Sequence, residues 1–154
     1  MSRILIVDDV VALADQYAYD LKRLGGHEAT VATSGVAALA RIEHQPFDCV
    51  ILDLEMPGMD GFAVLEDLRH RGIDIPVIVY TGTGDFARCV QAVSMGAVGF
   101  IDKAEPMERV ALEVANAVER ARLVREVASL RDRLGESRLI GRSAAIEQLR
   151  LLIA

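Results

Sequence analysis

The first 104 residues of the chain alternate five short apolar runs with four amphipathic stretches, and this alternation constrains the fold more than any other feature. The apolar runs are Ile4–Val7, Ala29–Ala32, Cys49–Leu52, Val77–Tyr80 and Val98–Ile101. They lack alternating polar residues, which is typical of strands buried on both faces. Helical spacing of apolar residues is found between them, at 11–24, 35–44, 61–70 and 86–95. The alternation therefore predicts an α/β fold with helices on both faces of a parallel sheet.

The composition is that of a folded protein. Of the 154 residues, 52% are hydrophobic and 26% are charged, which argues against a disordered chain. No apolar run approaches membrane-spanning length and no secretory signal is present, so we expect a cytoplasmic protein without membrane association.

Cys49 and Cys89 lie in apolar surroundings, and we expect buried thiols, not a disulfide. The three histidines lack metal-ligand spacing, so we expect them in loops or at the surface.

Charge is distributed unevenly along the chain, whose net charge is −6. Residues 1–104 carry 15 acidic and 8 basic side chains, whereas residues 105–154 carry 8 acidic and 9 basic ones. An acidic surface repels the phosphates of nucleic acids, so we expect no nucleic-acid binding by this chain. The change of charge near residue 104 also indicates a boundary.

A long helix is predicted over residues 105–135. Pro106 is tolerated in a first helical turn, and neither Gly nor Pro follows before Gly135. Gly135 and Ser137 are expected to end the helix. About 30 residues give roughly 45 Å of helix, more than one face of a small sheet can cover. The second half carries apolar residues at the coiled-coil spacing of four, three and four, here called the linker seam: Leu123, Val127, Leu130 and Leu134. We expect this seam to form a homodimer; a solvated helix end is the alternative.

Polar side chains follow the predicted strands at the points where these end. Asp8 and Asp9 follow the first strand, Asp53 the third, Thr81 the fourth, and Lys103 comes shortly after the fifth. The carboxyl ends of parallel strands share one edge of the sheet, where ligands bind in open α/β folds. Three carboxylates, one hydroxyl and one ammonium are therefore expected to lie close together.

Three neighbouring carboxylates in a partly dry site cannot all remain ionised without compensating positive charge. A hard divalent cation supplies it, and Mg²⁺ prefers a few carboxylates together with water and phosphate oxygens. With the ammonium of Lys103 nearby, such a site is suited to accepting a phosphoryl group on a carboxylate oxygen. The alternative, that Asp8 and Asp9 only cap the first helix, explains neither the pair nor the matching residues on the other strands.

The motifs at this edge resemble those of the receiver domain of bacterial two-component response regulators. They are VDD at 7–9, DLEMPGMDG at 53–61, YTGTGD at 80–85 and GFIDK at 99–103. The resemblance covers residues 1–120. It implies a flavodoxin-like (βα)5 fold with a doubly wound parallel sheet of strand order 2-1-3-4-5, extended by the C-terminal helix. It also implies a sensor histidine kinase as the phosphoryl donor.

The same resemblance implies the acceptor and the metal ligands. Asp53 corresponds to the phosphoryl acceptor of the family. Asp8 and Asp9 correspond to the residues that hold Mg²⁺ together with Asp53, helped by the backbone carbonyl of Glu55.

Three further residues correspond to the family's phosphoryl contact and switch. Lys103 matches the lysine that contacts phosphoryl oxygens, and Thr81 matches the hydroxyl residue that hydrogen-bonds a new phosphoryl oxygen. Phe100 occupies the place of the aromatic switch residue, although a simple core role is the alternative for it.

The chain departs from the family pattern after its lysine, where receivers usually have proline joined by a cis peptide bond. Here Ala104 follows Lys103. A cis bond before a residue other than proline costs about 2.5–4 kcal/mol. Two alternatives therefore remain open: a cis bond held against this penalty, or a trans bond that reshapes the loop before the long helix.

The last residues, LIGRSAAIEQLRLLIA at 139–154, resemble the opening of the AAA+ domain in sigma-54-dependent transcription activators of the nitrogen-regulation type. We expect residues 136–154 to begin such a domain, with DNA and sigma-54 polymerase bound by domains that this chain lacks. The phosphate-binding loop of an ATPase is absent, so we expect no enzyme activity beyond accepting the phosphoryl group and losing it by hydrolysis.

Several other functions remain as alternatives. The chain could be a receiver with a different output, a stand-alone phosphorelay module, or a degenerate receiver that is never phosphorylated. A Mg²⁺-dependent aspartyl phosphatase of the haloacid-dehalogenase type would need Asp-x-Asp after the first strand, whereas Asp8 and Asp9 are adjacent. A dinucleotide-binding domain would need a glycine-rich turn there.

Overall fold

The computed structural model describes residues 2–82 and 85–137, with the backbone alone at 135–137. Five strands are present: β1 Arg3–Val7, β2 Glu28–Ala32, β3 Cys49–Leu52, β4 Val77–Thr81 and β5 Gly99–Asp102. They alternate with five helices: α1 Val11–Gly25, α2 Gly35–His44, α3 Gly61–His70, α4 Phe86–Ser94 and α5 Met107–Ser137. The chain divides into two compact units between Val118 and Glu119.

The five strands form one parallel sheet in the order β2-β1-β3-β4-β5. This confirms the predicted flavodoxin-like fold, and the predicted strands and first four helices begin and end within one residue of those observed. The central strands β1, β3 and β4 are almost wholly buried. Their sequences lack alternating polar residues because helices cover both faces of a doubly wound sheet, so both faces of each strand are buried.

Alternate residues of each strand point to opposite faces and build two separate cores. On one face Leu5, Val50 and Val79 pack in a cluster that includes residues of α2, α3 and α4. On the other face Ile6 and Ile51 pack in a cluster that includes residues of α1 and the first part of α5. The sheet is thereby fixed from both sides, which determines where its strand ends lie.

Capping residues define where three helices begin. The side chains of Ser34, Asp60 and Asp85 accept hydrogen bonds from the backbone N–H groups three residues later. These contacts satisfy donors that a helix cannot satisfy itself and are worth about 1 kcal/mol each. The loops that end at these caps are the ones that leave the carboxyl ends of β2, β3 and β4.

The first half of α5 buries an apolar stripe, with Val110, Val114 and Ala117 almost inaccessible. The helix begins at Met107 and continues through Gly135 to Ser137, the last described residue, so Gly135 by itself does not end it. Glycine costs a helix only about 1 kcal/mol relative to alanine and does not by itself terminate one.

Among the residues that the structure describes, no helix is long and apolar enough to cross a membrane. The AAA+ domain predicted at 136–154 lies outside the described residues, apart from two.

His27 occupies a loop, which is one of the two placements expected for the histidines. It lies in the predicted loop between α1 and β2 but is buried, and its imidazole packs against Gly25 at the end of α1. Burial lowers the pKa of His27, because the charged imidazolium loses its hydration. The loop position was predictable, whereas the burial depends on how α1 ends.

Gly61, the first residue of α3, allows this helix to approach the end of β3. A Cβ atom added there would lie 2.6 Å from the carbonyl oxygen of Asp53 and 2.7 Å from Cα of Leu54. Both are backbone atoms, so neither can move without displacing the strand end. The glycine is therefore required by close packing at the site that follows β3.

We expect Gly61→Ala to lower the free energy of unfolding by about 1–3 kcal/mol, because overpacking displaces backbone. Gly99→Ala is the matched control, since its added Cβ would meet only side-chain atoms of Ile78 and Glu113 at 3.6 Å or more. Urea denaturation of the three proteins measures the difference. Equal stability of the two variants would contradict the packing argument.

Candidate functional site

The register of the sheet brings the ends of β1, β3 and β4 together. Val7 pairs with Leu52, and Leu52 pairs with Val79. Asp8 and Asp53 follow directly, and the backbone N–H of Asp53 donates to the carbonyl oxygen of Val7 at 3.0 Å. The two acidic side chains therefore leave neighbouring strands at the same level.

These polar residues are buried, which is unusual for acidic side chains. Asp8 is 2% exposed, Asp53 is 7% exposed and Thr81 is wholly inaccessible. A buried carboxylate is stable only when it is hydrogen-bonded and its charge is compensated. The partners of these two carboxylates therefore decide what the site can do.

Lys103 compensates both carboxylates with one ammonium group. Its Nζ donates to Oδ2 of Asp8 at 2.7 Å and to Oδ2 of Asp53 at 3.0 Å. Its main chain is fixed as well, because its N–H donates to the carbonyl oxygen of Thr81 at 3.0 Å. Burial by itself lowers the pKa of Lys103, but the hydrogen bonds and charges of Asp8 and Asp53 outweigh burial and raise it above its ordinary value. The lysine is accordingly a permanent cation at neutral pH.

The second oxygen of Asp53 is held by two neutral donors. The hydroxyl of Thr81 donates to Oδ1 at 3.0 Å, and the backbone N–H of Glu55 donates to the same atom at 3.2 Å. Three donors from three different segments thus fix this carboxylate. A carboxylate that is fixed in this way has a defined direction for attack on an incoming electrophile.

Asp8, Asp9 and Asp53 together form a group that could hold a metal ion. Each offers one carboxylate oxygen, and these three atoms lie within 4.8 Å of one another. Oδ1 of Asp8 accepts a hydrogen bond from the N–H of Val10 at 2.9 Å, which sets the orientation of this carboxylate. An all-oxygen donor set of this kind fits a hard divalent cation such as Mg²⁺.

The capping alternative for Asp8 and Asp9 finds no support in the geometry. The N-cap residue of α1 is Val10, which has no side-chain cap hydrogen bond, and the contact from Asp8 reaches the N–H of Val10 itself. That contact lies outside the first helical turn. The acidic pair therefore faces the site without capping α1.

The peptide bond between Lys103 and Ala104 is trans, which resolves the two alternatives left by the sequence. The N–H of Ala104 donates to the side chain of Asp102 at 2.7 Å, and that of Glu105 donates to the carbonyl oxygen of Asp102 at 2.9 Å. The loop before α5 is thus a tight turn built around Asp102. Lys103 reaches the two carboxylates from this trans geometry.

Phe100 packs against the core, and the residues of the linker seam are half-exposed. Phe100 pairs with Val79 in the sheet and packs half-buried against the core beneath α2, α3 and α4. The seam residues on α5 have between 46% and 56% of their surface exposed: Leu123, Val127, Leu130 and Leu134. The geometry therefore gathers Asp8, Asp9, Asp53, Thr81 and Lys103, and it leaves the roles of Phe100 and the seam as predictions.

Three neighbours of the site were not predicted. The ring of Tyr17 lies edge-on to that of Tyr80, with centroids 5.2 Å apart, and Nζ of Lys103 lies 5.9 Å from the Tyr17 centroid. Arg88 at the start of α4 forms an ion pair with Glu55 at 3.3 Å. Tyr80 precedes Thr81 within an apolar run, and nothing local distinguishes it from an ordinary core residue.

Comparison with known proteins agrees with this geometry. A family model described as the response regulator receiver domain matches residues 4–115. The C4-dicarboxylate transport transcriptional regulatory protein DctD of Pseudomonas aeruginosa is 36% identical over 154 residues, covering 97% of this chain and 33% of that protein. The nitrogen assimilation regulatory protein NtrX of Azorhizobium caulinodans is 32% identical over 152 residues, with the same coverages. The chain thus spans about a third of the length of these curated relatives.

Solved structures give the same result. The crystal structure of NtrX from Brucella abortus in complex with ATP has a TM-score of 0.76 and 34% identity, over 84% of this chain and 29% of that one. The receiver domain of a LuxO-type repressor protein from Vibrio parahaemolyticus has a TM-score of 0.77 and 29% identity, over 82% of this chain and 96% of that one. With its sheet, its acidic cluster and its lysine in place, the chain belongs to the response regulator receiver domain family.

Proposed function

We propose that Asp53 accepts a phosphoryl group from the phosphohistidine of a sensor histidine kinase. The observation that supports this most strongly is the fixation of the Asp53 carboxylate by Lys103, Thr81 and the N–H of Glu55. These donors orient one nucleophile at the edge of the sheet. The cation and the hydroxyl lie where the charge of an incoming phosphoryl group needs compensation.

In the proposed reaction an oxygen of Asp53 forms a bond to phosphorus while the N–P bond of the phosphohistidine breaks. The electron pair of that bond stays on the imidazole nitrogen of the kinase, which then takes up a proton. Lys103 compensates the charge on the phosphoryl oxygens, and the Thr81 hydroxyl donates to one of them. Mg²⁺, held by Asp8, Asp9, Asp53 and the carbonyl of Glu55, supplies further positive charge at these oxygens when it is bound.

Phosphorylation would also change the contacts that hold the site together. It adds about −1.5 to −2 charge and three strong acceptor oxygens. Thr81 would follow the new acceptor, and the half-buried Phe100 would repack in the space that this leaves. Near-complete switching needs roughly 5.5 kcal/mol of differential stabilisation, which several charge-assisted hydrogen bonds can provide.

We propose that the output is a sigma-54-dependent transcription activator in the cytoplasm. Alignments with DctD and NtrX cover 97% of the chain and so extend beyond the receiver match at 4–115. Both relatives are named as regulatory proteins. DNA and sigma-54 polymerase would be bound by other parts of such a protein, and the present chain would act as a phosphoryl acceptor, without ATPase activity.

We further propose that the linker seam forms a homodimer through α5. Its four side chains are half-exposed, whereas Val110, Val114 and Ala117 in the first half of α5 are buried. Arg122 pairs within the helix with Glu119 and Glu126, at 2.5 and 2.7 Å, and alternating charges of this kind are typical of the exposed faces of coiled-coil helices. A second copy of this helix would bury the seam.

Incubation with Mg²⁺ and acetyl phosphate should add one phosphoryl group that is stable to acid and labile to base. Asp53→Ala should abolish this labelling because it removes the nucleophile, whereas Asp74→Asn, at the opposite edge of the sheet, should label normally. Intact-protein mass spectrometry measures the added mass. Normal labelling of Asp53→Ala would refute Asp53 as the acceptor.

Leu130→Glu should weaken the dimer by at least tenfold, because it places a charge in the apolar seam. Ser129→Glu introduces the same charge one position away, off the seam, and should leave the dimer intact. Sedimentation velocity over a range of concentrations measures the dissociation constant. A wild-type protein that stays monomeric at every concentration would count against the seam.

A further inference from the structure

The loop that carries Lys103 has a sequence that does not by itself fix the position of the lysine side chain. Ala104 follows it through a trans peptide bond, and alanine leaves φ free where proline would fix it. The lysine side chain is itself a flexible four-carbon stem. Something other than the local sequence must hold its ammonium between Asp8 and Asp53.

We propose that Tyr80 and Tyr17 are positioning residues for Lys103, Tyr80 by anchoring the loop main chain and Tyr17 by supporting the ammonium. This inference rests on the proposed function of Asp53, because Lys103 acts on the phosphoryl group there. Neither tyrosine touches the reacting atoms. Each acts through the lysine.

The hydroxyl of Tyr80 ties the loop to the sheet. It donates to the carbonyl oxygen of Glu105 at 3.1 Å and lies 3.5 Å from that of Lys103. Tyr80 is a buried residue of β4, the central strand that also ends in Thr81. The backbone N–H groups of Ala104 and Glu105 donate to Asp102, the last residue of β5, and that of Lys103 donates to the carbonyl oxygen of Thr81, so the hydroxyl of Tyr80 adds a second attachment to β4. The hydroxyl therefore fixes the loop to the strand that carries another site residue.

The ring of Tyr17 fixes the position of the lysine side chain. It packs edge-on against Tyr80 at 5.2 Å and an interplanar angle of 70°, an arrangement favoured by aromatic pairs. Nζ of Lys103 lies 5.9 Å from its centroid, at the limit of a cation–π contact. Tyr17 comes from α1, so the ammonium is supported from a helix as well as from two strand ends.

Ala104 does not fix its own backbone conformation as a proline would. The hydrogen bond from the Tyr80 hydroxyl restrains the loop instead. Without it, the carbonyl oxygens of Lys103 and Glu105 lose their link to β4, and the N–H of Lys103, which donates to the carbonyl oxygen of Thr81, is left to tie the loop main chain to that strand. A displacement of about 1 Å in a catalytic group can reduce a rate by about 100-fold. The tyrosine hydroxyl donates to none of the aspartate ligands, so its loss reaches Asp8 and Asp53 only through the position of the Lys103 ammonium.

Tyr80→Phe removes the hydroxyl and keeps the ring, so it is the informative variant. We expect the rate constant for phosphorylation by acetyl phosphate to fall about tenfold, a partial form of the misplacement effect, while the dissociation constant for Mg²⁺ does not rise. Tyr17→Leu should reduce the rate in the same way. Tyr19→Phe, which removes an exposed hydroxyl on the same helix as Tyr17, is the matched control. Loss of Mg²⁺ affinity in parallel with the rate would indicate a merely structural role and would overturn the proposal.

A second measurement does not depend on phosphorylation. The ammonium of Lys103, hydrogen-bonded to two carboxylates, should give a slowly exchanging ¹H–¹⁵N signal at neutral pH, assigned by its loss in Lys103→Met. Tyr80→Phe should accelerate this exchange at least threefold, and Tyr19→Phe should not. An unchanged exchange rate in Tyr80→Phe would overturn the positioning role. Absence of phosphorylation in the wild-type protein would instead overturn the proposed function, so the two failures can be told apart.

Discussion

The shared ammonium of Lys103 between Asp8 and Asp53 is the interaction on which the rest of the structure depends. Two buried carboxylates on adjacent strands repel each other, and removing one partner of a buried charge pair is strongly destabilising. The sheet register, the close approach of α3 at Gly61 and the turn around Asp102 all serve to keep these charges in contact. The ammonium of Lys103 compensates the charges that would destabilise the fold, and it also holds the Asp53 carboxylate in a fixed orientation for reaction.

Much of this could be predicted from the sequence because it depends on local patterns. Uninterrupted apolar runs alternating with helical spacing specify a parallel sheet, and the carboxyl ends of parallel strands must share one edge. Asp8, Asp53, Thr81 and Lys103 could therefore be placed together without knowledge of any distance. The acetyl phosphate experiment tests a residue that the strand pattern and the family resemblance select jointly.

Other features depend on tertiary contacts that no local pattern records. The sequence did not decide whether the Lys103–Ala104 peptide bond is cis or trans. Contacts from the surrounding structure determine whether the cost of a cis bond is offset. Tyr80 looked like any core residue, because the partner of its hydroxyl lies on a loop 25 residues later. The helix continued past Gly135 because a propensity of about 1 kcal/mol is too small to decide a helix end. In each case packing or a distant hydrogen bond determined the outcome.

Thermal unfolding of Lys103→Met, with and without Mg²⁺, tests most directly whether Asp8 and Asp53 require a shared cation. Without metal, the variant should unfold at a lower temperature than the wild type, because two buried carboxylates lose their compensation. Saturating Mg²⁺ stabilises the state that binds it, and it should raise the midpoint of the variant by more than that of the wild type. Equal midpoints without metal, or equal gains on adding Mg²⁺, would contradict this account.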